Sequence, residues 1–204
     1  MTGDVSAVGL AQFTSHYGFS RNYGTTRVFA PPEFFNQPEH NLQFDIYQAG
    51  LTLYRMCNGD DELNLQFQDN VLVNGVPDSN MFVNNLAAGN FPNRSKYLPH
   101  IPKALKSVVN KALNIDLNLR YKTVIDILND LSKIDFANEW RYEREANGND
   151  KWTWDKKIVI ASFNGWTWEV LTKQSNKRVL ARCGAGLTEF QKNQLLYNTL
   201  AMDW

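Results

Sequence analysis

Three histidines, His16, His40 and His100, and two cysteines, Cys57 and Cys183, could bind a metal or move a proton. Imidazole and thiolate ligands hold a tetrahedral metal when they recur at short, fixed spacings. Here the histidines are scattered among loops, with no ligand spacing to each other or to the cysteines, and the pattern points to no metal centre. Two isolated thiols fit a reducing compartment better than a disulfide framework. Gly184-Ala185-Gly186 stands before a helix, where backbone N–H groups can seat an anion; glycine also enters helices with no ligand at all. Trp152, Trp154, Trp166 and Trp168 could stack on bases or line a peptide groove, and the same side chains could simply fill a small core.

Composition narrows the classes. The chain has 204 residues, and 21 lysines and arginines balance 21 acidic side chains. No global field therefore draws it to nucleic acid or an anionic membrane. Apolar residues at 43% suffice for one large domain or two small ones. Residues 5–13 are too broken, and lack the basic lead, for a signal peptide. Residues 44–59 are too short for a membrane span and are interrupted by Gln48, Thr52 and Arg55. Cytoplasmic residence without membrane contact is the expectation.

The elements organise around residues 44–59, FDIYQAGLTLYRMCNG. Their apolar residues leave no polar stripe on a helical wheel, which predicts a helix packed on every side. Asp45 is expected to cap its start and Gly59 to stop it. Residues 12–26 read as an irregular loop, and Ala30-Pro31-Pro32-Glu33 as a rigid turn. Residues 60–80 read as a polar region with a turn at Gly75-Val76-Pro77-Asp78. A short helix follows over 79–88, then one opened by Pro102 that buries Leu105, Val108, Val109, Ala112 and Leu113. After a loop over 114–120, a helix from Lys122 is expected to bury Val124, Ile125, Leu128, Leu131 and Ile134.

A composition shift places a boundary near residue 138. Beyond it a helix is expected around 137–145. Alternation then marks a strand with Val159, Ala161 and Phe163 on one face, an Asn164-Gly165 turn, a strand through Trp166, Trp168 and Val170, a Ser175-Asn176 turn, and a third strand over 178–182. Thr188-Glu189-Phe190-Gln191 reads as a capping box opening a helix with Phe190, Leu195, Tyr197 and Leu200 inward. The expected class is α+β: a mainly helical domain over residues 1–138, and a small three-stranded antiparallel sheet plus helix over 139–204.

Taken in order, residues 1 to about 135 resemble the C-terminal lobe of a eukaryotic-like protein kinase. Gly9-Leu10-Ala11 precedes a long loop and then Gly24-Thr25-Thr26-Arg27-Val28-Phe29-Ala30-Pro31-Pro32-Glu33, similar to the end of an activation segment and its Ala-Pro-Glu motif, with one extra residue. Phe44-Asp45-Ile46-Tyr47-Gln48-Ala49-Gly50 is similar to the family's central helix. Asn114-Ile115-Asp116-Leu117-Asn118-Leu119-Arg120-Tyr121 resembles the loop carrying its structural arginine, with Leu117 where proline is common.

The resemblance implies a buried Glu33–Arg120 pair and implies that Asp45 grips the backbone of a catalytic loop. Thr25 and Thr26, with Ser20 and Tyr23, sit where activation loops are phosphorylated. Phosphoryl transfer in this family also uses a Gly-rich loop, a strand lysine, a catalytic Asp and metal-holding Asn and Asp residues. The first four lie upstream of the activation segment, and the chain is expected to lack them. Ala7-Val8-Gly9 occupies the Asp-Phe-Gly position in the better register, putting a methyl group where a carboxylate would hold Mg²⁺. The alternative register places Asp4-Val5-Ser6 there. The expectation is a pseudokinase-like, protein-binding or regulatory module with no cofactor. Its partner would be the missing kinase half or a second copy. The alternative is one part of a Ser/Thr kinase, using Mg·ATP only when another chain completes it.

The tail adds a third reading. A helix, three strands and a helix led by Gly-x-Gly is similar to a double-stranded-RNA-binding domain. Thr188, Glu189 and Phe190 stand where that family has phosphate-gripping lysines, with Lys192 the only cation close by. Lys173, Lys177, Arg178 and Arg182 form a modest basic edge, and nucleic acid is not the expected partner.

Overall fold

The computed structural model describes residues 19–21, 30–36, 39–73, 76–134 and 139–200. The chain divides into two compact units, residues 1–98 with 103–134, and residues 99–102 with 135–204.

In the first unit, strand β1 (Phe19–Arg21) pairs antiparallel with β2 (Glu39–Asn41), and a short 3-10 helix spans Pro32–Phe35. Helix α1 runs Leu42–Asn58. Its start is capped by Asn41, whose Oδ1 accepts the N–H of Gln43 at 2.9 Å. Asp45 is therefore not the cap: Asn41 reaches the first free N–H groups a turn earlier. Gly59 ends the helix at φ +87°, a conformation that favours glycine. Phe44, Ile46, Tyr47, Gly50, Leu51, Tyr54 and Cys57 are buried. Leu42, Asp45 and Met56 are exposed, so α1 is embedded along one broad face and not enclosed on every side.

Helix α2 (Asp60–Val71) occupies the stretch that reads from sequence only as a polar region. Its first turn holds Asp60, Asp61 and Glu62, carboxylates that favour the positive end of the helix dipole. Inside the unit it contributes Leu63 and Gln66. Short strands β3 (Leu72–Val73) and β4 (Val76–Pro77) pair antiparallel. Gly75, expected in a turn here, lies outside the described residues. Asp78 caps α3 (Ser79–Ala87) by accepting from the N–H groups of Asn80 and Met81, and Phe82 and Leu86 face inward. Phe82 meets Phe67 and Phe91 edge-on at 5.1 and 5.3 Å.

Helix α4 (Lys103–Ala112) follows Pro102 and packs on α1 at Gly50, where a Cβ would stand 2.9 Å from that of Ala112. Helix α5 (Val124–Leu131) opens on a capping box between Thr123 and Asp126. That cap sets its phase. Ile127 is buried, with Leu131 and Ile134 partly so, while Val124, Ile125 and Leu128 are exposed, so of the expected inner face only Leu131 and Ile134 turn inward. Ile46, Val108, Ala112, Tyr121 and Ile127 form a core cluster across α1, α4 and α5.

The second unit is one antiparallel sheet and a helix. Strands β5 (Arg141–Arg144), β6 (Asp150–Trp154), β7 (Lys157–Phe163), β8 (Trp168–Gln174), β9 (Lys177–Arg178) and β10 (Gly184–Leu187) precede α6 (Glu189–Leu200). The order is β10-β8-β7-β6-β5, with β9 also paired to β8. The α+β class therefore stands, and the sheet is wider than the three strands read from sequence. Arg141–Arg144 is a strand where a helix is expected, because Tyr142 and Trp152 pair across β5 and β6 with charged neighbours on the other face. Residues 178–182 divide between β9 and a 3-10 helix at Leu180–Arg182, and do not form one strand.

Asn164 turns β7 into β8 by accepting from the N–H groups of Trp166 and Thr167. Ser175 and Asn176 turn β8 into β9, both at positive φ. The capping box at Thr188 and Gln191 is present. Helix α6 turns Lys192, Leu196, Thr199 and Leu200 inward, while Phe190 is 76% exposed and is not an inner residue. Leu196 and Leu200 pack with Trp140, Trp152, Val159, Ala161 and Val170. Among the described residues, no helix is long and apolar enough to cross a membrane.

Candidate functional site: the Arg120 junction

Among the described residues of the first unit, the most deeply buried charged group is Arg120, whose side chain is fully buried. It sits at the end of the loop between α4 and α5, and three separate segments converge on it. Its Nη1 and Nη2 donate to Oε1 and Oε2 of Glu33 at 2.6 and 3.2 Å, a two-pronged match of planar guanidinium to carboxylate. Nη1 also donates to the Gln43 carbonyl at 2.9 Å, and Nε to the Asn114 carbonyl at 2.8 Å. The guanidinium lies 5.0 Å from the ring centre of Tyr47. Four of its five N–H donors thus have named acceptors.

Local structure explains the placement. The two prolines ahead of Glu33 fix the backbone that enters the 3-10 helix, where Pro31 accepts from the Phe34 N–H at 3.0 Å. Gln43, on the first turn of α1, returns the contact. Its amide donates to the carbonyls of Leu117 and Tyr121, holding the arginine loop from the other side. Burial drives the pKa of the Tyr47 hydroxyl upward, so this tyrosine stays neutral beside the guanidinium. A second buried network lies further along α1. Gln66 donates to the Tyr54 hydroxyl at 2.9 Å and accepts the Asn93 N–H at 2.7 Å, and Tyr54 donates to the Asn93 carbonyl.

Of the residues marked in the sequence, Glu33 and Arg120 are brought together. Asp45 is on the exposed side of α1. Gly9, Thr25 and Thr26, the two registers at Ala7-Val8-Gly9 and Asp4-Val5-Ser6, and Tyr23 and His16 lie outside the described residues. Gln43, Tyr47 and Gln66 were not marked. The signal for the first two was present: Gln43 and Tyr47 are one turn apart, a polar and an aromatic residue on one helix face.

Among the described residues, no group of three or more His, Cys, Asp or Glu could hold a metal ion. In the second unit, His100 uses Nδ1 to accept the Trp152 indole N–H at 2.9 Å, which assigns this histidine to packing.

The second unit also bears on the RNA reading. Its element order places strands, not a helix, ahead of the sheet centre. Trp152, Trp154 and Trp168 sit on or beside the core that α6 covers. The strand alternation puts Ile158, Ile160 and Leu171 on the opposite face, without aromatic rings for base stacking. Gly184 and Gly186 belong to β10 and not to a loop entering α6.

The chain is similar to the serine/threonine-protein kinase PknD of Protochlamydia amoebophila (strain UWE25), at 26% identity over 143 residues. The match covers 68% of this chain and 13% of that relative. No family model matches the chain. No solved structure matches it. What the similarity supports is a kinase-like region within this chain.

Proposed function

We propose that the first unit is a kinase-like scaffold that binds a protein partner and does not itself transfer phosphate. The observation that carries this reading is the Arg120 junction. A buried arginine clamps the Ala30-Pro31-Pro32-Glu33 segment to α1 and to the loop after α4, as the resemblance to kinase C-terminal lobes implies for the end of an activation segment. The Ala7-Val8-Gly9 register supports the non-catalytic half, since it puts a methyl group where a metal-holding carboxylate would stand. Thr25 and Thr26, upstream of the clamped segment, are the proposed points of phosphorylation-dependent regulation.

A nucleotide tests the reading. Ligand that binds only the folded state raises its melting temperature in proportion to RT ln(1 + [L]/Kd). Mg·ATP at a concentration well above ordinary kinase affinities is expected to leave the melting curve of this chain unchanged. A dose-dependent rise would overturn the reading.

The second reading is one part of a Ser/Thr kinase, favoured by the name of the relative of which this chain matches 13%. Asp45, exposed on α1, would then hydrogen-bond the backbone of a catalytic loop supplied by another segment. This reading predicts Mg·ATP stabilisation after mixing with a polypeptide that carries a Gly-rich loop and catalytic Asp, and none without it.

A further inference from the structure

The sheet of the second unit ends at β5, which pairs with β6 on one side and, among the described residues, with no strand on the other. The ladder fixes which backbone groups face that open side. Glu145 donates its N–H to the Asn149 carbonyl at 2.9 Å, and bonded positions alternate along an antiparallel strand. Glu143 and Arg141 therefore bond toward β6, while the N–H and C=O groups of Tyr142 and Arg144 point outward. The opposite end of the sheet is a poorer template. There the register of β10 on β8 shifts between Gly184 and Leu187, and an irregular edge resists further pairing.

The side chains select what adds to this edge. Arg141 and Glu143 lie on the face opposite Tyr142, both exposed, and neither has an ion-pair partner among the described residues. Charged edge strands usually block pairing. Here the two outer charges have opposite sign, so the strand is complementary to itself. Outward backbone groups meet outward groups only when an even-numbered residue faces an even-numbered one. A two-fold centred on Glu143 would set that carboxylate against its own copy, and one centred on Arg141 would do the same with the guanidinium. Centred on Tyr142, the strand sets Arg141 of each copy opposite Glu143 of the other. These are non-hydrogen-bonded positions, where cross-strand side chains come closest, while Tyr142 exchanges both backbone bonds with its counterpart. Beyond the strand, Glu139 then approaches Glu145, a carboxylate that Lys151 already meets at 3.4 Å. We infer that β5 pairs antiparallel with β5 of a second copy of this chain, in the register centred on Tyr142, and that two reciprocal Arg141–Glu143 ion pairs select that register. The product is one continuous sheet with α6 of both copies on the same side.

This inference concerns the second unit and does not depend on the kinase-like reading of the first. Sedimentation of the full chain over a concentration series tests it. The mass should rise from that of one chain toward that of two, and less readily as salt is added. Arg141→Glu places a carboxylate opposite Glu143 at both contacts, and Glu143→Arg places a guanidinium opposite Arg141. Each should weaken dimerisation about ten-fold, as like charges directly opposite repel. The double Arg141→Glu, Glu143→Arg variant exchanges the two signs and should dimerise as the parent chain does. An equimolar mixture of the two single variants should form mixed dimers, which a folding defect at either position would not allow. A chain that stays monomeric into the millimolar range, a dimer indifferent to both single reversals, or failure of both the double variant and the mixture to associate would each overturn the inference. The Mg·ATP melt does not involve this edge, so failure here leaves the non-catalytic reading to be judged on its own test.

Discussion

The two units are held together by different physics. In the first, segments far apart in sequence meet through buried polar groups: Glu33 with Arg120, Gln43 with Leu117 and Tyr121, Gln66 with Asn93. In the second, neighbouring strands form hairpins and close over an aromatic and aliphatic core, with Trp140 donating to the Leu200 carbonyl as its long-range tie. Burying charge is costly unless every donor is met, so the first unit is sensitive to the loss of one partner. The second loses stability in proportion to the apolar volume removed. Polar clamps fix where a segment goes, whereas apolar cores tolerate variation in detail. A scaffold that must present one segment in one place suits the first design.

The tryptophans allow the units to be followed separately. The described ones, Trp140, Trp152, Trp154, Trp166 and Trp168, lie in the second unit, while α1 to α5 lie in the first. Tryptophan fluorescence therefore reports the sheet, and helical dichroism chiefly reports the scaffold. The largest expected effect is Trp152→Ala. Its ring is 1% exposed, and its loss should cost about 3–5 kcal/mol in denaturant melts followed by the remaining tryptophans. The main helical transition should stay in place; a joint shift would show that the two units unfold together.

Gly50→Ala comes next. The added methyl would stand 2.9 Å from the Ala112 Cβ and 3.1 Å from two carbons of Leu113. Forcing α1 from α4 should cost roughly 1–3 kcal/mol in the helical transition, with fluorescence unaffected. A neutral result would mean that these helices separate easily.

The smallest effects form a matched pair. Thr123→Ala removes the cap of α5 and Thr188→Ala that of α6, each at about 0.5–2 kcal/mol. Thr123→Ala should move only the helical signal and Thr188→Ala chiefly the fluorescence. Crossed effects would contradict the separation.

Much of this was legible from residues alone, where a local signal agreed with the fold. Gly59 as a helix stop, the Asn164 and Ser175-Asn176 turns and the Thr188 capping box depend on a few adjacent residues. Helix α2 was missed because its support comes from Asp60, Asp61 and Glu62 at the dipole and from Gln66 turned inward, not from an apolar stripe. The inner face of α5 was misread because Val124, Ile125 and Leu128 are apolar yet exposed, while the Thr123 cap fixes a phase that buries Ile127. Strand β5 was hidden by charged side chains on its outer face. At the candidate site, motif order singled out Glu33 and Arg120, but it did not reveal that Gln43, Tyr47 and the Asn114 carbonyl complete the arginine's surroundings.

A double-mutant cycle on Glu33→Gln and Arg120→Met, read by the helical transition, bears on that junction. A buried, two-pronged pair should give a coupling energy of about 2–3 kcal/mol. A coupling below about 0.5 kcal/mol, the range of exposed pairs, would mean that Arg120 does not clamp this segment and would remove the basis for a kinase-like scaffold.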